Sequence, residues 1–471
     1  MATKEKAAGK GQSALMDALE KRLMPMATVV GGNKYLLTLR DIFATMMPML
    51  IVGSIFTLVQ SFPIPAWTAF LKATVVGDTT LSALLGVPAT VTVSMIALFA
   101  AFLMGYNFAE YEDLKDRVSA GLTSLLSWLM LIPLFTEYTP KGSEEVFRVS
   151  SIPFEWVGSK GVFVAIVVGF LSIKIYGALV HKKVTIKMPD GVPPTVSRAF
   201  SALIPMTATI LVIWLIRVAF VMTPWDNIFS FIYAFLQLPL QNLGGTVVAQ
   251  SLVYLFAHVL WFFGIHGTNI TDAVYHPILL TLSIENLEAT TAGLPVPNLI
   301  NSQFQNLFAT QGGGGSTLAL LIAILLFCKS KRLVQLGRLC IAPGLFNINE
   351  PVIFGLPIVL NPVLFIPFVL TPLFNIITTW AVMVVGLVPY TNGIQIPWTT
   401  PTIISGFLVS GWQGAVWQAV MLVCGVLIYL PFIKTLDREY LEEEAVAADV
   451  TEAKAASDID DVDLDNIDLD F

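Results

Sequence analysis

The stretch Ile42–Phe62, which reads IFATMMPMLIVGSIFTLVQSF, contains no charged residue. A helix needs about 20 apolar residues to cross the hydrocarbon core of a bilayer, and this stretch is long enough. The rest of the chain has the same character, since 55% of its 471 residues are hydrophobic and only 13% are charged. Soluble domains carry about 25% charged residues. With a mean hydropathy of +0.76, the sequence predicts an integral membrane protein.

Eight further apolar runs follow, and most of the charged residues are collected between them. They predict helices at Pro88–Phe108, Val118–Phe135, Val162–Leu179, Phe200–Met222, Val247–Gly264, Leu318–Phe327, Pro362–Val388 and Gly414–Ile433. Before Val247, the stretch Trp225–Gln241 mixes aromatic with polar residues. This composition is typical of an amphipathic helix that lies in the membrane interface.

Basic residues predict the orientation, because lysines and arginines that flank short loops tend to remain cytoplasmic. A cytoplasmic N-terminus places the loops after the second and fourth spans inside. The basic cluster after Phe327 also belongs inside, which requires one more crossing, predicted at Ala273–Leu287 despite its polar His276 and Glu285. About ten spans result, with both termini cytoplasmic. The supporting clusters are Lys115 with Arg117, His181 with Lys182, Lys183 and Lys187, and Lys329 with Lys331, Arg332 and Arg338.

Two segments after Arg338 are rich in proline and glycine although apolar stretches surround them. They are Ala342–Pro357, APGLFNINEPVIFGLP, and Tyr390–Thr402, YTNGIQIPWTTPT. Proline interrupts a helix and frees backbone groups that lipid cannot satisfy, so both segments predict re-entrant hairpins or broken helices buried in protein. The fold class is therefore an all-α polytopic membrane protein with about ten transmembrane helices, two re-entrant hairpins and interfacial amphipathic helices.

The net charge of −7 is unevenly distributed along the chain. From Asp437 to the end there are 14 acidic residues and two basic ones, whereas the preceding residues carry a net charge of +5. Blocks of like charge repel themselves and usually stay solvated. Residues 437–471 are accordingly predicted to form an acidic, disordered tail.

Glu350 is a candidate functional residue because it lies within the first proline-rich segment, next to Asn349 and Pro351. A carboxylate in an apolar stretch is costly and often functional. Broken helices near the membrane midplane also offer unpaired polar groups to transported substrates. The structural alternative is an ion pair between Glu350 and a neighbouring cation.

The segment Gly264–Asn269, GIHGTN, is a polar break at the end of the sixth span. It is either a helix end with a satisfied histidine, or it places His266 and Asn269 on one helical face, where they would hydrogen-bond a hydroxylated ligand. In the second hairpin, Trp398 is able to stack on the apolar face of a sugar ring, although interfacial tryptophan is also common in membrane proteins.

Motifs for metal or nucleotide chemistry are not evident in the sequence. The three cysteines, Cys328, Cys340 and Cys424, lack the spacing of metal ligands, so no metal site is predicted. Gly312–Gly315 is glycine-rich but lacks the lysine of a phosphate loop, which makes a flexible connection to the next span the simpler interpretation. No cofactor, cleavable signal peptide or nucleic-acid partner is predicted.

The loop after the fourth span, Lys187–Pro194 (KMPDGVPP), resembles a signature of the membrane permease, enzyme IIC, of the phosphoenolpyruvate-dependent sugar phosphotransferase system. The lactose/cellobiose/diacetylchitobiose branch is the most similar. The resemblance covers roughly Ala14–Thr435. Further matches are Gly31, Gly32 and Asn33 with Leu39, Arg40 and Ile42, the segment Gly264–Asn269, and Asn347 to Pro351.

This resemblance implies a homodimer in a bacterial cell membrane that transports a β-linked disaccharide of the cellobiose, diacetylchitobiose or lactose type. It also implies four regions: an N-terminal cytoplasmic segment (1–40), a scaffold and dimerisation half (41–222), a substrate-binding half (223–436) and the tail. By the same resemblance, His266 and Glu350 contact the sugar near its 6-hydroxyl group. Asn269, Asn349 and Trp398 are then additional sugar contacts.

The chemistry implied is group translocation, in which the sugar hydroxyl attacks a phosphocysteine on a separate cytosolic IIB protein that IIA phosphorylates. The chain would then take part in phosphotransferase chemistry only together with IIB, with Glu350 and His266 as the catalytic pair. An ion-coupled secondary sugar transporter and a non-transporting sugar sensor remain alternatives. Dependence on phosphoenolpyruvate would distinguish group translocation from the ion-coupled transporter, and uptake of sugar into vesicles would distinguish it from the sensor.

Overall fold

The computed structural model describes residues 32–460, apart from residues 61, 63, 141–144, 190, 357, 359 and 360. Most of the predicted N-terminal segment and residues 461–471 of the acidic tail lie outside the described residues. Helices dominate the described part, and its strands form only two short antiparallel hairpins. The predicted all-helical membrane fold is therefore confirmed.

The first half of the chain consists mainly of long helices. Thr80 and Asp116 cap two of them by accepting hydrogen bonds from the amides of Ala83 and Ser119. The elements are α1 (Lys34–Gln60), α2 (Pro65–Ala73), β1 (Val75–Val76), β2 (Thr79–Thr80), α3 (Leu81–Thr92), α4 (Ile96–Tyr111), α5 (Arg117–Leu131), β3 (Phe135–Tyr138), β4 (Phe147–Ser150), α6 (Phe154–Val157), α7 (Ser159–His181) and α8 (Pro194–Val221).

The second half contains shorter helices and more interruptions. Two π-helical segments, Tyr233–Gln237 and Gln305–Ala309, and a 3₁₀ turn, Gly314–Ser316, lie between the α-helices. The α-helices are α9 (Ile228–Ile232), α10 (Leu238–Gly244), α11 (Val247–Phe262), α12 (Gly267–Ala292), α13 (Ser302–Phe304), α14 (Thr317–Phe327), α15 (Lys331–Leu345), α16 (Glu350–Gly355), α17 (Pro362–Val384) and α18 (Ile404–Asp460).

All ten predicted spans fall on helices. Within the described residues, seven helices are long and apolar enough to cross a membrane, and an eighth crossing results if Ile228–Gly244 and Val247–Phe262, which meet at a 74° bend, count as one. The short apolar helix α5 corresponds to the third predicted span. Helix α12, on which the tenth predicted span lies, is not among the helices that are apolar enough to cross a membrane, and its Glu285 carboxylate accepts hydrogen bonds from Gln241 (2.9 Å) and Asn298 (2.9 Å).

The two proline-rich segments are interrupted, as the sequence predicted. The first consists of the end of α15, a turn in which Asn347 has φ +63°, and the short α16. In the second, residues 388–403 form no helix or strand. A third interruption at residues 310–316 was not predicted, since Gly312–Gly315 was interpreted only as a flexible connection. Gly312, Gly313 and Gly315 all have positive φ there.

Buried amide side chains satisfy much of this irregular backbone. Gln418 is fully buried, and its Oε1 accepts hydrogen bonds from the amides of Ile403 (2.7 Å) and Gly406 (2.8 Å). Its Nε2 donates to the carbonyl of Leu307 (2.8 Å), while Gln311 Nε2 donates to the Gln418 carbonyl (3.0 Å). Non-helical backbone at membrane depth is tolerated only when its polar groups are satisfied within the protein.

The two halves share one hydrophobic core, in which α1 and α4 of the first half meet α12 of the second. Across the same boundary, Ser54 Oγ accepts a hydrogen bond from the amide of Gln395 (2.8 Å). A separate core cluster in the second half surrounds α14 and includes Trp261, Phe368 and Tyr429. The interrupted segments are therefore held between α1 and this second cluster.

Residues 437–460, which the sequence assigned to a disordered acidic tail, continue α18 in the structure. Asp437 is buried, and its Oδ1 accepts hydrogen bonds from the amides of Lys329 (2.9 Å) and Ser330 (2.8 Å). Glu444 Oε1 accepts from Ser330 Oγ (2.7 Å) and from the Arg332 amide (3.0 Å). Asp437 and Glu444 thus accept hydrogen bonds from the free amides at the start of α15, and these bonds outweigh the repulsion between acidic side chains.

Candidate functional site

A cavity of about 480 Å³ lies between α1 and the interrupted segments of the second half. This volume is in the range of about 300–1,000 Å³ that is typical of small-molecule sites. The structure brings all five predicted site residues to this cavity. They are His266, Asn269, Asn349, Glu350 and Trp398.

His266 immediately precedes α12 and caps it. Its Nδ1 accepts a hydrogen bond from the amide of Asn269 (3.3 Å), so in the neutral ring the proton resides on Nε2. The ring centroid lies 4.2 Å from that of Trp261. Gly267 allows the start of α12 to pack against the backbone of α11, because a Cβ there would lie 1.9 Å from the Ala257 carbonyl oxygen. The structure shows His266 as the cap of a helix, and its Nε2 is not used by that cap; the ligand contact stays a prediction.

Glu350 is the first residue of α16, and its side chain is exposed at the cavity. In the part of the chain that the structure describes, its carboxylate has no hydrogen-bond or ion-pair partner, so these residues do not support the structural ion pair considered above. A carboxylate at the N-terminal end of a helix is favoured by the exposed amides. Glu350 is thus available to accept a proton or a hydrogen bond from a ligand.

Asn347 and Asn349 connect the interrupted segments around Glu350. Asn347 Oδ1 accepts a hydrogen bond from the Gly312 amide (2.7 Å), and its Nδ2 donates to the Trp398 carbonyl (2.6 Å). Asn349 Nδ2 donates to the Gly314 carbonyl (2.7 Å). These bonds join three segments that lie far apart in the sequence and fix the position of the cavity wall.

Trp398 lies in the second proline-rich segment, where half of its surface is exposed. Asn347 holds its backbone by a hydrogen bond, and Trp398 is one of the residues that line the cavity. An aromatic face in this position offers the apolar contact that a sugar ring makes with tryptophan. Trp398 and the hydrogen-bonding groups of His266 and Glu350 thus provide complementary contacts.

Several cavity residues were missed by the sequence interpretation. Asp272 also lines the cavity, and its Oδ1 accepts a hydrogen bond from Gln305 Nε2 (2.7 Å). Asp272 could have been identified from its spacing. It follows His266 by six residues, two steps of three along one helical face, on a helix that was already predicted to be polar. Gly313 and Gly314 could have been identified from the glycine run in which they lie. Other residues at the cavity are Arg40, Tyr254, Trp261, Thr268 and His276.

The donors and acceptors of the cavity favour a neutral, hydroxylated ligand. His266 Nε2 and the Asn269 amide are able to donate hydrogen bonds, Glu350 and Asp272 accept them, and Trp398 provides an apolar surface. Among the described residues there is no group of three or more His, Cys, Asp or Glu side chains that could hold a metal ion. The arrangement of these groups is therefore suited to hydrogen bonds with a polyhydroxylated molecule.

Comparison with known proteins identifies a family. Residues 40–372 match the family described as phosphotransferase system, EIIC. The chain is 39% identical to the cellobiose-specific EIIC component of Geobacillus stearothermophilus, over 93% of this chain and 98% of that protein. It is 38% identical to the lichenan permease IIC component of Bacillus subtilis (strain 168), over 90% and 94%.

A solved structure is similar to this chain along most of its length. The transporter ChbC, the IIC component from the N,N'-diacetylchitobiose-specific phosphotransferase system, superposes with a TM-score of 0.86 and 41% sequence identity. The alignment covers 91% of this chain and 99% of ChbC. The likeness thus extends over both halves, including the cavity.

Proposed function

The chain belongs to the EIIC family of the phosphotransferase system, and from this we propose that it carries a β-linked disaccharide across the bacterial cell membrane while a separate IIB protein phosphorylates the sugar. The observation that carries this proposal is the convergence of His266, Asn269, Asn349, Glu350 and Trp398 on one cavity. The names of the relatives support the substrate class, since cellobiose and N,N'-diacetylchitobiose are β-linked disaccharides.

Glu350 and His266 are the proposed catalytic pair. The 6-hydroxyl oxygen of the sugar attacks the phosphorus atom of a phosphocysteine on IIB, the sulfur–phosphorus bond breaks, and the cysteine leaves as a thiolate. Glu350 accepts the hydroxyl proton, and the Nε2–H of His266 donates a hydrogen bond that orients the sugar. Phosphoryl transfer depends mainly on the positioning of the reacting groups. The hydrogen bonds of Asn347 and Asn349 fix the cavity in which the sugar is positioned.

Reconstituted vesicles test the function. We expect vesicles that contain the protein, phosphoenolpyruvate and the soluble components including IIA and IIB to accumulate phosphorylated cellobiose without an ion gradient. Vesicles without IIB are the control. Accumulation of unmodified sugar that an ionophore abolishes would favour an ion-coupled transporter, and binding without any uptake would favour a sensor.

The orientation with both termini in the cytoplasm is a proposal supported by the basic loops. We expect Lys182→Cys, in a chain whose three native cysteines are replaced by serine, to be labelled by an impermeant reagent only in inverted vesicles. Lys182 is exposed and lies beyond the end of α7. Val149→Cys, on the exposed strand β4, is the matched control and should be labelled in intact cells. The reverse pattern would invert the topology.

We also propose a homodimer in which residues 41–222 form the interface and residues 223–436 carry the sugar. Helix α8 supports this division because most of its residues are not buried within one copy. Its exposed apolar side chains include Leu211, Trp214 and Leu215. The mass of the protein in nanodiscs measures the oligomeric state, and a monomeric mass would contradict the dimer.

A further inference from the structure

The proposed reaction brings a phosphoryl group into the cavity, but the residues assigned so far supply no permanent positive charge to bind it. A phosphate ester carries a charge of about −1.5 to −2 near pH 7. The carboxylates of Glu350 and Asp272 line the same cavity, and in their ionised form they repel this charge. His266 contributes a hydrogen-bond donor and no fixed charge. The proposed reaction therefore requires a cation at the cavity.

Arg40 is the only lysine or arginine among the described residues that line the cavity. It begins a stripe along α1 that continues with Phe43, Ala44 and Met47, all of which line the cavity. Positions i, i+3, i+4 and i+7 share one face of a helix. Arg40 thus lies at the N-terminal end of the wall that α1 contributes. With the proposed cytoplasmic N-terminus, this is the end from which IIB delivers its phosphoryl group.

An ion pair that is anchored to a second helix holds the Arg40 side chain. Arg40 Nε and Nη2 both donate to Asp41 Oδ1, at 3.0 and 2.8 Å. The hydroxyl of Tyr111, the last residue of α4, donates to Asp41 Oδ2 (2.6 Å). Both oxygens of the carboxylate are therefore engaged. Because Tyr111 fixes Asp41, the pair restricts the orientation of the guanidinium group.

The ion pair leaves one edge of the guanidinium group available. An arginine side chain has five N–H donors in a planar fork. Asp41 uses the donors of Nε and one side of Nη2, and no hydrogen bond joins Nη1 to another described residue. Half of the Arg40 side chain is exposed. The remaining Nη1–Nη2 edge has the geometry that binds two oxygens of a phosphoryl group.

We propose that Arg40 binds the phosphoryl group during its transfer from IIB to the sugar and then holds the phosphorylated product. This inference rests on the proposed function and deepens it, because it adds a catalytic residue to Glu350 and His266. The sulfur–phosphorus bond breaks as the oxygen–phosphorus bond forms, and Glu350 takes the hydroxyl proton. Arg40 exchanges no proton and stabilises the negative charge on the non-bridging oxygens. Asp41 and Tyr111 are positioning residues in this scheme.

Binding of cellobiose and cellobiose 6-phosphate to the purified protein tests the phosphoryl site without IIB. The protein is held in phosphatidylcholine nanodiscs, which add no anionic headgroup. In Arg40→Gln we expect the Kd of cellobiose 6-phosphate to rise about 10- to 100-fold, as for the loss of a charge-assisted hydrogen bond, and the Kd of cellobiose to stay unchanged. Arg40→Lys keeps the charge without the planar fork, so its Kd for the phosphate should lie between those of Arg40→Gln and the wild type.

The rate of sugar phosphorylation in reconstituted vesicles, with IIA and IIB in excess, tests the transfer step. Arg40→Gln should reduce this rate about 100- to 1,000-fold, the effect typical of removing one group that stabilises charge in a transition state. A rate equal to that of the wild type would overturn a role of Arg40 in the transfer.

Arg117→Gln is the matched control, because Arg117 also lies at a helix end on the predicted cytoplasmic side and also pairs with an acid, Glu110 (2.7 Å), but does not line the cavity. Its rate and its ratio of the two Kd values should equal those of the wild type. In Arg40→Gln, an unchanged ratio or equal weakening of both ligands would overturn the phosphoryl site. Wild-type protein that forms no sugar phosphate with IIA and IIB would contradict the proposed function itself.

Discussion

Glu350→Gln is expected to reduce the formation of sugar phosphate by about 100- to 10,000-fold, the contribution typical of a general base. The amide has nearly the same shape as the carboxylate but does not accept the hydroxyl proton. Because Glu350 has no partner among the described residues, its replacement should cost little folding stability. The rate of phosphoenolpyruvate-dependent phosphorylation in reconstituted vesicles, with IIA and IIB in excess, measures the effect.

The control for this variant is Glu285→Gln, which removes a carboxylate from the second half without touching the cavity. Expression level, elution volume in detergent and the Kd of cellobiose should show that the Glu350 variant is folded and still binds sugar. A phosphorylation rate equal to that of the wild type would exclude Glu350 as the proton acceptor. Loss of binding together with loss of rate would assign it a role in binding alone.

Gly313→Ala is expected to abolish sugar binding by displacing the asparagines that shape the cavity. Gly313 has φ +87°, and a Cβ there would lie 2.6 Å from Asn349 Cγ and 2.7 Å from the Asn347 carbonyl oxygen. With ψ at −170°, Gly313 lies in a backbone region that is essentially restricted to glycine, and a residue with a side chain there is strained by about 1–3 kcal/mol. The clash adds to this cost, because the asparagines are already held by hydrogen bonds to neighbouring segments. The Kd of cellobiose and the Tm measure the two effects.

Gly293→Ala separates strain from contact. Gly293 has φ +70° and ψ +24°, in the left-handed region, and a Cβ there would meet no atom within 4 Å, so the substitution introduces positive-φ strain of about 1–2 kcal/mol without a clash. We expect it to lower the Tm slightly and to leave the Kd unchanged. If both variants bind cellobiose as the wild type does, the approach of Gly313 to Asn347 and Asn349 does not shape the binding site.

The sequence alone determined the helical membrane fold, because the length and hydropathy of an apolar run depend only on consecutive residues. All ten predicted spans lie on helices, including the polar stretch Ala273–Leu287 that loop charges indicated, although α12 is not apolar enough to count as a span by composition. Glu350 and His266 were recognisable because polar residues within interrupted apolar stretches are conspicuous, and the resemblance to enzyme IIC related them to one site. The comparisons confirm that family.

Only the tertiary structure decided which distant residues meet. The sequence indicated a polar α12 but not that Gln305 orients Asp272, because that bond joins two segments 33 residues apart. It predicted a disordered acidic tail, yet Asp437 is buried against amides more than 100 residues earlier. The glycine run was visible, but not the asparagines packed against Gly313. The hydrophobicity and charge of a segment can be assigned from its own residues. The hydrogen-bond partner of a buried polar group cannot, because it is determined only when folding brings remote backbone within hydrogen-bonding distance.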